Sequence, residues 1–121
     1  MKLLLIEDDL ATVESINLCL EVNDPESRVV STSKGLEAIQ LLQNDAFDGV
    51  IIDLGLPDID GIEVIEQIRA FSAIPVVVVS ARHSPEMISK ALSLGANDYI
   101  TKPFDYRLLL NRLNKLVKKV A

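Results

Sequence analysis

Five short apolar runs alternate along this chain with five segments in which apolar residues recur at helical spacing. Short runs rich in β-branched residues are typical of buried strands, and a spacing of three or four residues is typical of amphipathic helices. The predicted strands are Lys2 to Ile6, Arg28 to Ser31, the run that ends at Asp53, Ile74 to Ser80, and Asp98 to Thr101. Strict alternation implies right-handed crossovers, so we predict an α/β domain with a doubly wound parallel sheet and helices on both faces.

Capping and breaking residues mark the ends of the predicted helices. Asn23-Asp24-Pro25 ends the first helix, Ser84-Pro85 begins the fourth, Gly95 ends it, and Asp105 caps the last. The short second strand has polar flanks and is expected at an edge of the sheet. The apolar positions predicted to face the core are Leu10, Val13, Ile16 and Leu20; Leu36, Ile39 and Leu42; Ile62, Ile65 and Ile68; Ile88, Ala91 and Leu92; and Leu109, Leu113, Leu116 and Val120.

Length and composition exclude several classes of protein. With 121 residues, 49% of them hydrophobic, the chain is long enough for one core, so residues 1–121 are expected to be one domain. A net charge of −6 argues against direct binding to nucleic acid or to an anionic membrane. The single cysteine cannot form an internal disulfide. No apolar stretch of about 18 residues follows the short N-terminal run, so a cytoplasmic location is expected.

Polar side chains follow the predicted strands at the ends where open α/β sheets bind ligands. Glu7 and Asp8 follow the first strand, Asp53 the third, Ser80 ends the fourth, and Lys102 lies just past the fifth. Crowded carboxylates favour a cation among them, and hard oxygen ligands suit Mg²⁺. Lys102 adds positive charge and Ser80 a hydrogen-bond donor. Such a group of residues could hold a phosphoryl group on Asp53, with Asp53 as the nucleophile.

The chain resembles the receiver domain of two-component response regulators over essentially its full length. The resemblance lies in four motifs, which occur in the usual order and at the usual intervals: LLIEDD, DGVIIDLGLPDIDG, VVVVSA and GANDYITKPF. It implies a CheY-like, flavodoxin-like fold of five βα units, with a five-stranded parallel sheet in the order 2-1-3-4-5.

The resemblance also implies a phosphorylation site that contains a metal ion. Asp53 would be the phospho-acceptor, and Mg²⁺ or Mn²⁺ would be the cofactor. Glu7, Asp8 and Asp53 would bind that ion, and the backbone carbonyl of Gly55 would complete its coordination. A sensor histidine kinase would donate the phosphoryl group, and any catalysis would be limited to self-phosphorylation and self-dephosphorylation.

Three further residues acquire roles from the same resemblance. Lys102 falls on the lysine that contacts the phosphate, and its bond to Pro103 is expected to be cis, which would place Lys102 toward Asp53. Ser80 and Tyr99 fall on the two switch positions. Movement of Ser80 toward the phosphoryl group would vacate space for Tyr99 and alter the surface of the fourth helix, fifth strand and fifth helix.

That surface is predicted to mediate phosphorylation-dependent dimerisation. Its predicted interface residues are Asp98, Asp105, Leu108 and Arg112, with the two acids facing a partner's Arg112. Lys115 and Lys119 extend the stripe. Dimerising receivers usually carry an acid where Leu108 stands, so an apolar contact is expected to replace part of the ionic network. The chain most resembles receivers that precede a winged-helix DNA-binding domain, which would act in transcription regulation.

Other interpretations remain open from the sequence alone. A haloacid-dehalogenase-like phosphohydrolase also forms an aspartyl-phosphate at a strand end, but it needs a second Asp where Gly55 stands. A phosphorylation-independent interaction domain is a third alternative. Taken singly, Glu7 and Asp8 could mark a helix N-terminus, for which Asp9 is better placed, and Tyr99 could be a half-buried strand aromatic.

Overall fold

Strands and helices alternate throughout the computed structural model, which describes residues 1–118. In chain order the elements are β1 (Lys2–Ile6), α1 (Leu10–Asn23), β2 (Arg28–Thr32), α2 (Gly35–Asn44), β3 (Gly49–Ile52), α3 (Gly61–Arg69), β4 (Val76–Ser80), α4 (Pro85–Ser93), β5 (Asp98–Thr101) and α5 (Tyr106–Lys118). Every strand and helix predicted from the sequence is present, with some ends shifted by a residue or two.

The five strands form one parallel sheet in the order β2-β1-β3-β4-β5, as predicted. β2 lies at an edge, also as predicted. Ile6 of β1 stands opposite Ile52 of β3, and Ser80 of β4 opposite Thr101 of β5. The residues that follow these strands therefore meet at one edge of the sheet. The strand order reverses between β1 and β3, which is where ligands bind in doubly wound sheets.

Alternate strand residues divide the core between the two faces of the sheet. Leu4 and Ile6 pack with α2, α3 and α4 on one face, whereas Leu3 and Leu5 pack with α1 and α5 on the other. These four side chains are fully buried. Burying a Leu or Ile side chain contributes about 1.5–3 kcal/mol, so the two apolar layers stabilise the strand ends that carry the polar residues.

Most predicted core positions in the helices are buried. The fully or nearly fully buried ones are Ile16, Leu20, Ile39, Ile62, Ile65, Ile68, Ala91, Leu109 and Leu113. Val120 lies outside the described residues. No helix in the described part of the chain has the length and apolar character needed to cross a membrane.

Three of the predicted inward positions are wrong. Leu10 is 74% exposed, Leu36 53% and Leu92 43%. Leu10 and Leu36 lie in the first turns of their helices but on the outward side, because the buried residues of those turns are Thr12 in α1 and Gly35 in α2. Instead, Met87 of α4 and Leu94, which directly follows α4, pack against the core. Helical spacing correctly located the helices but did not fix which face of each helix is buried.

Local side chains cap most of the helices. Asp9 accepts a hydrogen bond from Ala11 N in α1, Ser84 accepts one from Met87 N in α4, and Asp105 accepts one from Arg107 N in α5. Gly95 has a φ of +119° after α4, which confirms its predicted role as a left-handed stop. α2 has no such cap at Lys34; its first two N–H groups are bound by Asp58, at 2.9 Å each.

Candidate functional site

Three carboxylates converge at the carboxyl edge of the sheet. Glu7 and Asp8 directly follow β1, and Asp53 directly follows β3. The neighbouring strands hold these positions in register: Asp53 N donates to Ile6 O at 2.9 Å, and Glu7 N donates to the β2 residue Thr32 at 3.0 Å. Each residue of the acidic cluster offers a carboxylate oxygen, and these oxygens lie within 4.8 Å of one another. The predicted proximity of Glu7, Asp8 and Asp53 is therefore observed.

Lys102 joins this cluster from the end of β5. Its Nζ forms an ion pair with Glu7 Oε1 and lies 3.3 Å from Asp53 Oδ2. Its backbone N–H donates to Ser80 O at 2.8 Å, which ties the chain after β5 to the end of β4. The Lys102–Pro103 peptide bond is cis, as the resemblance implied. A cation thus contacts both the buried Glu7 and the partly buried Asp53.

Burial and neighbouring charges have opposing effects on the pKa values of the residues in the cluster. Burial of Glu7, assisted by the neighbouring carboxyl group of Asp53, raises its pKa from 4.5 to about 7. Burial also acts to raise the pKa of Asp53, but the neighbouring carboxyl group of Glu7, the hydrogen bond from Gly55 N and the charge of Lys102 lower it below its ordinary value. Burial acts to lower the pKa of Lys102, yet the two carboxylates raise it overall. Asp53 is therefore the ionised carboxylate of the pair.

The donor set fits a hard divalent cation. Glu7 is 2% exposed, and its Oε2 has no hydrogen-bond partner among the described residues. A buried carboxylate oxygen without a partner is costly unless a cation or proton approaches it. Asp8 is exposed, so one side of the cluster is open to water ligands of the kind that Mg²⁺ retains. Glu7, Asp8 and Asp53 therefore have the chemistry of a magnesium site.

Gly55 lies in the turn that follows Asp53. Its N–H donates to Asp53 Oδ1 at 3.3 Å, and a Cβ placed on it would meet no atom within 4 Å. The turn is therefore open at this position, beside the carboxylate. The role predicted for the Gly55 carbonyl as a metal ligand stays a prediction.

The two predicted switch residues are linked by Arg82. Ser80 is 1% exposed, and its Oγ accepts a hydrogen bond from Arg82 N at 3.2 Å. The Tyr99 hydroxyl donates to Arg82 O at 2.6 Å, while its ring packs against the core on the α2–α4 side of the sheet. Burial raises the pKa of Tyr99, so its hydroxyl keeps its proton as donor. Arg82 also reaches Asp60, an ion pair that the sequence did not predict.

The predicted interface residues lie on β5, on α5 and in the loop between them. Arg112 forms an ion pair with Asp98 of its own chain, whereas the sequence predicted Asp98 opposite a partner's Arg112. Asp105 caps α5, and Leu108 is 40% exposed. Lys115 is exposed, and Lys119 lies outside the described residues.

Together, the fold and the site define a doubly wound α/β domain centred on one ionised aspartate, a buried glutamate and a lysine. The chain matches the response regulator receiver domain over residues 3–114 and belongs to that family. The family assigned by resemblance is thereby confirmed, and with it the CheY-like fold.

Individual relatives agree with this classification. The chain is 38% identical over 120 residues to the transcriptional regulatory protein KdpE of Staphylococcus aureus. The matched region is 99% of this chain and 51% of KdpE. The receiver domain of the Francisella response regulator 1452 superposes with a TM-score of 0.91 at 31% identity, covering 99% of this chain and 98% of that one.

A further neighbour carries a metal ion. The receiver domain of sensor histidine kinase PA1611 from Pseudomonas aeruginosa PAO1 has a magnesium ion coordinated in its active site cleft. It superposes with a TM-score of 0.86 at 26% identity, covering 97% of both chains. The chain spans about half the length of the curated relatives that it matches.

Proposed function

We propose that the chain is a phospho-accepting signalling switch in which Asp53 takes a phosphoryl group from a sensor histidine kinase. The observation that carries this proposal is the contact of Lys102 Nζ with Asp53 Oδ2 at 3.3 Å, beside a carboxylate cluster that fits Mg²⁺. Membership of the receiver family supports the same assignment. The residue roles given to Glu7, Asp8 and Gly55 are part of the proposal.

The proposed transfer uses groups already present at the site. An oxygen of ionised Asp53 attacks phosphorus, and the bond from phosphorus to the donor's leaving atom breaks, with its electron pair leaving on that atom. Lys102 offsets negative charge on the phosphoryl oxygens, and the Ser80 hydroxyl donates a hydrogen bond to one of them. A Mg²⁺ or Mn²⁺ ion held by the acidic cluster and the Gly55 carbonyl would supply further positive charge.

A direct test uses a small phosphodonor, acetyl phosphate, with the purified chain. We expect one added phosphoryl group in the presence of Mg²⁺, none in Asp53→Ala, and strong reduction in excess chelator, each measured by intact-protein mass spectrometry. Asp45→Ala is the matched control, because Asp45 pairs with Lys2 at the opposite edge of the sheet. Phosphorylation that persists in Asp53→Ala would contradict the proposal.

Readout is proposed to occur through α4, β5 and α5. Ser80 would turn from Arg82 N toward the phosphoryl group, and Tyr99 would follow by way of its bond to Arg82 O. The resulting change would favour a homodimer through Asp98, Asp105, Leu108 and Arg112. A C-terminal DNA-binding domain and a cytoplasmic location are also proposed, since the curated relatives are longer and several are named as transcriptional regulators.

The phosphohydrolase alternative is not adopted. Position 55 is a glycine, which has no acid or base to offer a leaving group or a water. Sustained release of phosphate from an aryl phosphate, with many turnovers per chain, would reverse this choice. An interaction domain independent of phosphorylation is tested by the acetyl phosphate experiment itself.

A further inference from the structure

An ion pair joins the two loops that flank the phosphorylation site. Arg82 follows β4, and its Nη1 lies 3.4 Å from Oδ2 and 3.5 Å from Oδ1 of Asp60. Asp60 also caps α3, because its Oδ1 accepts a hydrogen bond from Ile62 N at 3.1 Å. The guanidinium is thus held toward the start of α3. The pair is exposed at its rim, with side-chain exposures of 42% and 50%, so it can open without disturbing the core.

Before phosphorylation, two hydrogen bonds hold the backbone of Arg82, whereas among the described residues its side chain is held only by the exposed pair with Asp60. Its N–H and carbonyl are bound by Ser80 and Tyr99, which keeps the residue at the carboxyl end of β4. β4 is the neighbour of β3, the strand that leads to Asp53. A phosphoryl group on Asp53 would add up to about two negative charges close to this loop. Asp60 and the phosphoryl group are then rival anions for one guanidinium.

We propose that the Asp60–Arg82 ion pair holds the Arg82 side chain off the phosphorylation site and thereby shortens the lifetime of the phosphoryl group. The inference rests on the proposed function of Asp53. Asp60 is a positioning residue in this scheme, because it acts through Arg82 and touches no reacting atom.

Hydrolysis of the acyl phosphate is the step that the pair controls. A water oxygen forms a bond to phosphorus, the bond from phosphorus to the Asp53 oxygen breaks, and the electron pair stays on the restored carboxylate. The proton lost by the water goes to solvent, and inorganic phosphate leaves. The turn at Gly55 gives water room to approach. Arg82 placed over the phosphoryl oxygens would obstruct the approach, and its retention by Asp60 keeps the approach open.

The test separates the charge of Asp60 from its capping role. Asp60→Asn removes the charge but keeps a residue that caps helices well, and Asp60→Ser offers a second capping variant. Four variants are compared with the wild type: D60N, D60S, R82Q and the double variant D60N/R82Q. Each protein is phosphorylated with acetyl phosphate and Mg²⁺, and the remaining acetyl phosphate is then removed. Loss of the phosphoryl group is then followed by mass spectrometry. Glu63→Gln is the matched control, since Glu63 carries the same charge one turn further along α3.

We expect the phosphoryl group to last about two- to fivefold longer in D60N and D60S, the range given by loss of an exposed ion pair. In the R82Q background the D60N substitution should not change the lifetime, because the Arg82 guanidinium that D60N would release is absent. Glu63→Gln should match the wild type. Equal lifetimes in wild type and both Asp60 variants, or the same change with and without R82Q, would overturn the inference. A wild-type chain that accepts no phosphoryl group would overturn the proposed function along with it.

Discussion

Glu7 is the residue at which burial and function conflict most directly. Its carboxyl group is almost completely buried, Lys102 pairs with one oxygen, and the other oxygen has no hydrogen-bond partner among the described residues. Isolated burial of a carboxylate is expensive, and the usual escape is to take up a proton. The raised pKa of Glu7, about 7, means that its carboxyl group takes up a proton more readily than an ordinary glutamate. A divalent cation beside Glu7 provides the alternative, so metal binding should compete with protonation.

Glu7→Gln should stabilise the metal-free protein above neutral pH. The pKa of Glu7 is about 7 in the folded chain and 4.5 ordinarily, so between these values the folded state binds more protons. The free energy of unfolding therefore falls as pH rises through this window. Urea unfolding in chelator should give the variant an advantage of about 1–3 kcal/mol at about pH 8 and little at about pH 5.

Added Mg²⁺ should make the wild type more stable than Glu7→Gln. At about pH 8 it should raise the free energy of unfolding of the wild type and have less effect on Glu7→Gln, because one ligand is lost. Glu66→Gln, an exposed acid of α3, is the control and should follow the wild type. An advantage of Glu7→Gln that is the same at both pH values would refute the assigned protonation.

Among the secondary-structure elements, α2 depends on a residue from another part of the chain. Asp58 lies in the loop between β3 and α3, and its two oxygens accept the N–H groups of Gly35 and Leu36. The N–H of Leu36 lowers the pKa of Asp58 most strongly; burial opposes this effect, and the N–H of Gly35 adds to it, so the pKa is lowered overall. The loop that follows the phospho-acceptor is thereby attached to the N-terminus of α2, where a negative charge is also favoured by the helix dipole.

Asp58→Ala should reduce the free energy of unfolding by about 1 kcal/mol at neutral pH, as for loss of other N-caps. A lowered folded pKa means that the contribution is present above the ordinary value of 3.8 and is lost as pH falls through the folded value. The difference between variant and wild type in urea unfolding should accordingly shrink below about pH 4. Glu26→Ala, at an exposed loop position, is the control; a difference that stays constant with pH would count against the charged cap.

Local patterns predicted most of the fold. Apolar runs placed the strands, and Ser84, Gly95 and Asp105 marked helix ends, because a cap or a left-handed stop depends only on its own neighbours in sequence. The burial of Leu10 and Leu36 was predicted wrongly, since spacing along a helix does not say where its first turn meets the sheet. The cap on α2 could not be predicted either, because it comes from 23 residues further along the chain.

The site also combines features that the sequence predicts with features that depend on the folded structure. Parallel strands end at one edge, which is why the sequence alone was enough to place Glu7, Asp53 and Lys102 together. The pairing of Asp60 with Arg82 could not be predicted, because it depends on how two loops approach each other. Topology thus predicts which residues share an edge, and loop conformation decides which of them touch.

At the scale of the whole molecule, the proposed dimer must form on a surface that already satisfies its own charges. Arg112 and Asp98 are paired within one chain. If Arg112 bound a partner's Asp98, one exposed ion pair would replace another, with little net gain in free energy. Charge would then fix the register of the two copies, and apolar contact would supply more of the affinity. Leu108, which is 40% exposed near the start of α5, is the apolar residue available in the predicted set.

Addition of beryllium fluoride and Mg²⁺, a phosphoryl mimic, should shift the wild-type chain from monomer to dimer in sedimentation. Leu108→Ala should weaken the dimer strongly, because it removes the apolar contact that is expected to replace part of the ionic network. Arg112→Ala should weaken it less, by about tenfold or below, as expected for an exposed pair that exchanges between chains. Leu36→Glu is the control, since Leu36 is 53% exposed on α2, which packs near β1 and β2 toward the edge of the sheet opposite β5. Identical sedimentation of the wild type with and without the mimic would remove the dimer from the proposal and leave the phosphorylation of Asp53 to be judged by its own test.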